Sequence, residues 1–167
     1  MAQDDTQHHT DTQPAPDGSS PETPGRVLVV DDNAQNAELL EAYLDDLGVE
    51  VSIAADGEAA LRMVAEHTPD LVLLDIMMPR MSGYQACERL KGDPATRDIP
   101  VIMVTALGEV GDVEKAVESG ADDFLTKPVN KLELLTRVRS LLRVRRLQVD
   151  LEKAQRDLKR YLRDEGA

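Results

Sequence analysis

Four extended runs in this chain each end on a residue able to do chemistry. The run 27–30 (Val-Leu-Val-Val) stops at Asp31-Asp32, and the run 71–74 (Leu-Val-Leu-Leu) stops at Asp75. The run 101–104 (Val-Ile-Met-Val) stops at Thr105, and the shorter run 124–126 at Lys127. In an open parallel sheet, ligands bind outside the carboxyl ends of the strands, near the point where strand order reverses. Three carboxylates, one hydroxyl and one ammonium therefore converge on one small region. Three carboxylates in one pocket repel one another strongly. A hard divalent cation removes that conflict, and oxygen ligands with retained waters suit Mg²⁺. With no His or Cys in the set, zinc is a poor fit. Asp31 and Asp32 can reach such a metal directly or through water, whereas Asp75 stands alone at the tip of the central strand. A metal-neutralised Asp can attack phosphorus and form an aspartyl phosphate. The metal, the Lys127 ammonium and the Thr105 hydroxyl would then meet the three phosphoryl oxygens, and phosphoryl transfer asks mainly for such positioning and charge neutralisation.

The elements that must hold these residues are legible as strand and helix patterns. The three apolar runs do not alternate with polar residues, so both faces of each strand are buried, as in a parallel sheet covered by helices. Residues 50–54 and 124–126 are shorter strand candidates. Ala37, Leu40, Leu44 and Leu47 fall on one helical face, and Gly48 then supplies a stop. Residues 58–67, 84–91 and 112–119 read as further helices, with Gly92 and Gly120 just past two of them. Alternating strand and helix predicts a doubly wound α/β fold with right-handed crossovers. The last helix is expected from Lys131, capped by Asn130, with Leu134, Val138 and Leu141 packed on the sheet. No Gly or Pro interrupts the chain between Pro128 and Gly166. Val144, Leu147, Leu151, Ala154, Leu158 and Tyr161 continue at spacings of 3, 4, 3, 4 and 3, a heptad seam. The spacing favours a stalk or coiled coil over a helix folded back on its own domain.

A chain of 167 residues makes one ordinary domain. Its charge divides it in three. Residues 1–24 carry five acids and no Lys or Arg, a polar stretch too poor in apolar side chains to fold, and are expected to form a disordered acidic tail. Residues 25–142 carry 22 acids and 11 bases and form the folded domain; residues 143–167 carry five acids and eight bases and form the helical stalk. A net charge of −13 argues against nucleic acid and anionic membranes as partners. With no Trp, one Phe and three Tyr, the chain also lacks stacking platforms for single strands. One cysteine, Cys87, excludes an internal disulfide. Neither a signal peptide nor an apolar stretch of about 18 residues occurs, so a cytoplasmic location is expected.

At its strand-end residues the sequence resembles the receiver domain of two-component response regulators, over residues 26–142. Asp31 and Asp32 match the family's acidic pair, Asp75 its phosphoacceptor, Thr105 its switch hydroxyl, and Lys127-Pro128 its lysine and following proline. The sequence from Asp75 through Ile76, Met77, Met78 and Pro79 to Gly83 matches the loop after the phosphorylated strand. The resemblance implies a flavodoxin-like five-stranded parallel sheet of order 2-1-3-4-5 with an extended C-terminal helix. It also implies a main-chain carbonyl ligand to the metal at Met77, a cis Lys127–Pro128 bond, and a switch aromatic at Phe124 that moves with Thr105. Ala106 is small, as the family often requires for phosphoryl access. The cofactor implied is Mg²⁺, with Mn²⁺ as a substitute. Residues 91–100 and the Gly-Ala-Asp-Asp-Phe-Leu-Thr-Lys-Pro stretch look most like receivers attached to diguanylate cyclases and other helical-linker outputs.

The implied function is a signalling protein rather than an enzyme: it accepts a phosphoryl group on Asp75 from a sensor histidine kinase or phosphotransfer protein and signals through its C-terminal helix. A homodimer is expected through that helix or through the face of the fourth helix, fifth strand and fifth helix. The alternatives are a phosphorylation-independent helical adaptor and the regulatory fragment of a larger effector such as a diguanylate cyclase. An aspartyl-phosphate phosphatase is disfavoured, because Ile76 and Met77 follow Asp75 where an acid two residues on would be needed, and no cap-sized insertion exists. No Gly-rich dinucleotide or P-loop motif occurs. Arg143, Arg145 and Arg146 form a short basic patch, either a solvated helix face or a contact for an acidic partner.

Overall fold

The computed structural model describes residues 24–106 and 110–165. Within them the chain folds as β1 (Arg26–Val30), α1 (Ala34–Leu44), β2 (Glu50–Ala54), α2 (Gly57–Glu66), β3 (Leu71–Asp75), α3 (Gly83–Gly92), β4 (Val101–Thr105), α4 (Val110–Glu118), β5 (Asp123–Thr126) and α5 (Lys131–Glu165). All strand pairings are parallel and the sheet order is β2-β1-β3-β4-β5, as the sequence led us to expect. The expected tail, residues 1–24, lies outside the described residues except for Pro24.

The central strands explain why the apolar runs do not alternate. Successive side chains of a strand point to opposite faces, and here each face has its own core. Leu28, Val30, Val72, Leu74, Val101 and Met103 join Ala60, Val64, Ala86, Cys87, Leu90 and Ala116 of α2, α3 and α4. Val27, Val29, Leu71, Leu73, Ile102 and Leu125 join Ala37, Leu40 and Leu44 of α1 and Leu134 and Val138 of α5. β3 is buried along its whole length, so its last residue, Asp75, arrives at the carboxyl end of the sheet already sheltered from solvent.

Four helix ends show a local cause. The Asn33 side chain accepts from the amides of Gln35 and Asn36 and starts α1. The apolar face read through to Leu47 is split: the α-helix ends at Leu44, and Asp45–Leu47 tightens into a 3-10 turn that Gly48 closes at φ 63°. Ser82 and Gln85 cap α3 reciprocally. The Asn130 side chain accepts from the Glu133 amide at 3.0 Å at the start of α5.

α5 is one uninterrupted helix of 35 residues. Its first turns are bound to the sheet and to α1. The Arg137 guanidinium donates to both Asp123 carboxylate oxygens at 2.7 and 2.8 Å, and Lys131 pairs with Asp46 at 2.8 Å. Every described side chain from Arg146 to Asp164 is exposed, the apolar residues of the heptad seam included. No helix among the described residues is long and apolar enough to cross a membrane.

Candidate phosphoacceptor and metal site

The ends of β1, β3, β4 and β5 bring the four signals together. Asp31 follows β1 and its amide still donates to Ala54 of β2 at 3.1 Å, so the ladder fixes its backbone one step past the strand. Its side chain is almost fully buried, with Oδ1 accepting from the Asn33 amide at 2.8 Å. Asp32, next in the chain, is exposed. Asp75 closes β3 opposite Val104 and is 4% exposed. Its Oδ1 accepts from the Met77 amide at 3.3 Å, which turns the carboxylate toward the loop that follows. One carboxylate oxygen from each of Asp31, Asp32 and Asp75 lies within 4.8 Å of the others.

Lys127 is the cation of this group. Its Nζ stands 3.5 Å from Asp31 Oδ2 and 3.4 Å from Asp75 Oδ1, bridging the two buried carboxylates. Its backbone is anchored by the Lys127 amide, which donates to the Thr105 carbonyl at 2.7 Å. The peptide to Pro128 is cis. Thr105 ends β4, buried one residue past Val104, the register partner of Asp75, at the carboxyl end of the sheet. Phe124 lies opposite Met103, half-buried against the core of α2, α3 and α4. Met77 follows two residues after Asp75 with its side chain in solvent, and Ala106 is exposed.

Burial pushes the Asp75 carboxyl above its ordinary range. The Lys127 ammonium works against that rise and the Asp31 charge adds to it. With three carboxylates and one ammonium, the group carries a formal charge of −2 when all are ionised. Its donors are hard oxygens without nitrogen or sulfur. That set fits a divalent cation of the Mg²⁺ class, for which the Asp31, Asp32 and Asp75 carboxylates are the available side-chain ligands.

The loop after Asp75 contains a residue whose structural role the spacing could not reveal. Gly83, the first residue of α3, donates its amide to the Ile76 carbonyl at 2.9 Å. A Cβ there would overlap the Asp75 carbonyl oxygen and stand 2.8 Å from the Ile76 Cα. The chain thus folds back directly over the Asp75 backbone, and only a missing side chain lets it pass. Gly83→Ala is expected to destabilise the protein by about 2–4 kcal/mol in thermal unfolding, since backbone rather than a flexible side chain must move. Unchanged stability would show that the loop has slack. Arg80 takes a left-handed conformation (φ 69°) in the same loop and pairs with Asp56 at 3.0 Å. The Tyr84 hydroxyl donates to the Asp112 carbonyl at 3.3 Å, tying α3 to α4. The Ser-x-x-Gln capping box at 82–85, unused in reading this helix from residue 84, is the local signal for where α3 begins; nothing in the sequence marks Arg80.

Comparison with known proteins settles the family. The model of the response regulator receiver domain matches residues 27–139. This chain belongs to that family. The receiver is 54% identical over 118 residues to the response regulator PleD of Caulobacter vibrioides, covering 71% of this chain and 26% of that protein. Among solved structures, a putative response regulator from Chloroflexus aurantiacus superposes with a TM-score of 0.70 at 38% identity, covering 72% of this chain and 98% of that one. The receiver domain of the sensor histidine kinase PA1611 from Pseudomonas aeruginosa, solved with a magnesium ion coordinated in its active-site cleft, matches with a TM-score of 0.67 at 32% identity. The match covers 72% of this chain and 98% of that one. Further curated relatives are transcriptional regulators. The receiver spans about a quarter of the length of PleD and about half that of the transcriptional regulators.

Proposed function

We propose that this receiver accepts a phosphoryl group on Asp75 from the phosphohistidine of a sensor kinase or phosphotransfer protein, in a Mg²⁺-dependent reaction, and signals through α5. The observation that carries this reading is the cluster of Asp31, Asp32 and Asp75 with Lys127 Nζ at 3.4–3.5 Å from the two buried carboxylates. An Asp75 oxygen attacks phosphorus as the phosphorus–nitrogen bond breaks, and the imidazole leaves with the bonding pair and takes up a proton. Bound Mg²⁺ supplies positive charge to the carboxylates and the phosphoryl oxygens. Lys127 supplies the second cation and Thr105 a hydroxyl donor. Drawing Thr105 toward the new oxygens vacates space for Phe124, and this shifts the face formed by α4, β5 and α5. α5 grows from that face and carries the change outward.

The experiment supplies a small-molecule phosphodonor with and without Mg²⁺, then maps the modification by peptide mass. One phosphoryl increment on the peptide containing Asp75, formed only with Mg²⁺, supports the reading; an increment on Asp31 or Asp32, or equal labelling in chelator, refutes it.

A second reading has its own support. Val144, Leu147, Leu151, Leu158 and Tyr161 form an exposed apolar seam, which favours a second copy of α5 as its partner. Asp150, Asp157 and Asp164 recur at the same heptad position beside it. They would face one another in an antiparallel pair, so the pairing we infer is parallel. The mass-measured solution size of the same samples separates the readings: a dimer that forms on phosphorylation belongs to the switch, and one already present belongs to a constitutive helical adaptor. Because the receiver covers a quarter to half of its curated relatives, the output read by α5 is that of a larger effector or of a separate partner.

A further inference from the structure

A cleft of about 870 Å³ lies at the opposite end of the sheet from the site, between the start of β1, the turn before β2 and the middle of α5. Arg26, Arg139, Arg143, Arg145 and Arg146 line it, against a single carboxylate, Asp70. Asp70 is engaged, since its Oδ2 accepts from the Arg26 amide at 2.8 Å. The guanidinium groups of Arg26, Arg139, Arg143 and Arg145 make no ion pair among the described residues. Arg145 goes further: its Nε is buried and has no hydrogen-bond partner among the described residues. Buried polar atoms are nearly always paired, so an unpaired one calls for a missing acceptor. The apolar part of the wall comes from Leu47, Val49, Leu142 and Val149. A basic cleft with an apolar wall suits an anionic chain rather than a bare ion.

Pro24, on the rim of the cleft, is where residues 1–23 join the described chain. Those 23 residues carry Asp4, Asp5, Asp11, Asp17 and Glu22 and no Lys or Arg. Glu22 is two residues from the rim and Asp17 is seven. At about 3.5 Å per extended residue, Asp17 reaches up to roughly 25 Å from Pro24, enough to cross a cleft of this size. A tether this short holds its carboxylates at an effective concentration of order mM, so even weak Arg–carboxylate pairs are populated.

We propose that the cleft is the docking surface for this chain's own acidic N-terminal segment, whose carboxylates pair with the arginines at the root of α5. Leu142, Arg146 and Val149 mark the helix face that meets the cleft. At 100° per residue, Val144, Leu147 and Leu151 of the apolar seam fall on the other side of the helix. Docking therefore braces α5 against the β1–β2 end of the sheet while leaving the seam open.

The test places a nitroxide on Thr12→Cys of the full chain; Cys87 is buried and stays unlabelled. Amide broadening is compared at Gly48 and Val149, in the cleft, and at Ser52 and His67, in a second cleft that shares only Arg26 with the first. Docking predicts several-fold stronger broadening at Gly48 and Val149. The ratio should fall to near one in the Asp11→Asn, Asp17→Asn, Glu22→Gln variant and again in the Arg143→Gln, Arg146→Gln variant. Equal broadening at both clefts in the parent overturns the proposal, as does a ratio that survives neutralisation of the acids. Broadening that appears between a labelled copy and an unlabelled one, and not within a copy, assigns the cleft to a second chain and overturns it too.

Discussion

Asp75→Asn is expected to take up no phosphoryl group and, with chelator present at neutral pH, to unfold at a higher temperature than the parent protein. The first effect removes the nucleophile. The second follows from what the carboxylate costs where it sits. Asp75 is 4% exposed, and burial raises its pKa from the ordinary 3.8 while Asp31 adds repulsion. Its folded-state pKa lies above its unfolded value, so the folded state holds the proton more tightly. Stability from this group is therefore fully present below the unfolded pKa and is lost as pH rises through the folded one. That loss grows as pH rises above the carboxylate range, and Asn, which carries no charge, avoids it. A gain of about 1 kcal/mol, or roughly 3–5 °C, is the expected scale. The difference should shrink on acidification into the carboxylate range, where both side chains are neutral. Added Mg²⁺ should raise the melting temperature of the parent well above that of the variant, because the variant has lost one anionic ligand. A variant that melts below the parent in chelator would show that the buried Asp75 charge carries no net cost, and one that responds to Mg²⁺ as strongly would show that Asp75 is not a ligand.

Lys127→Gln probes the opposite sign of charge and should respond in the opposite way. Two buried carboxylates lose the ammonium that bridges them at 3.4 and 3.5 Å. Without metal the variant is expected to be less stable by about 1–3 kcal/mol, since a buried charge is left uncompensated. The group's formal charge moves from −2 to −3, so Mg²⁺ should bind more tightly and restore a larger share of the stability than in the parent. Phosphoryl uptake should nonetheless fall about 10²–10³-fold, because the ammonium that meets the developing charge is gone. The pairing of tighter metal binding with slower transfer is the discriminating result. Weaker metal binding would mean that Lys127 organises the carboxylates rather than balancing them.

The residues of the candidate site were legible because the central strands are buried on both faces. An unbroken apolar run leaves its first polar residue conspicuous, and Asp31, Asp75 and Thr105 each occupy that place. Lys127 was less conspicuous, since β5 is an edge strand of four residues and only its order in the series pointed to it. β2 was equally faint: its residues are mostly exposed, and its place comes from pairing with β1 rather than from its own pattern. Gly83 shows what a sequence hides most completely. Its role depends on a backbone crossing over the Asp75 carbonyl, and no periodicity encodes a crossing. The basic cleft is hidden for a related reason. Arg26 and Arg139 are more than a hundred residues apart and share a wall only once α5 has packed beside β1.

The length of α5 also has a geometric consequence. Its last 20 residues, at 1.5 Å each, make a rigid arm of about 30 Å. A rotation of about 10° where the arm leaves the domain would sweep its tip through roughly 5 Å, about one helical turn. The arm thus multiplies displacement: a rearrangement of one or two ångströms in the packing around Leu134 and Val138 is enough to change which turn of a neighbouring helix Leu158 and Tyr161 meet.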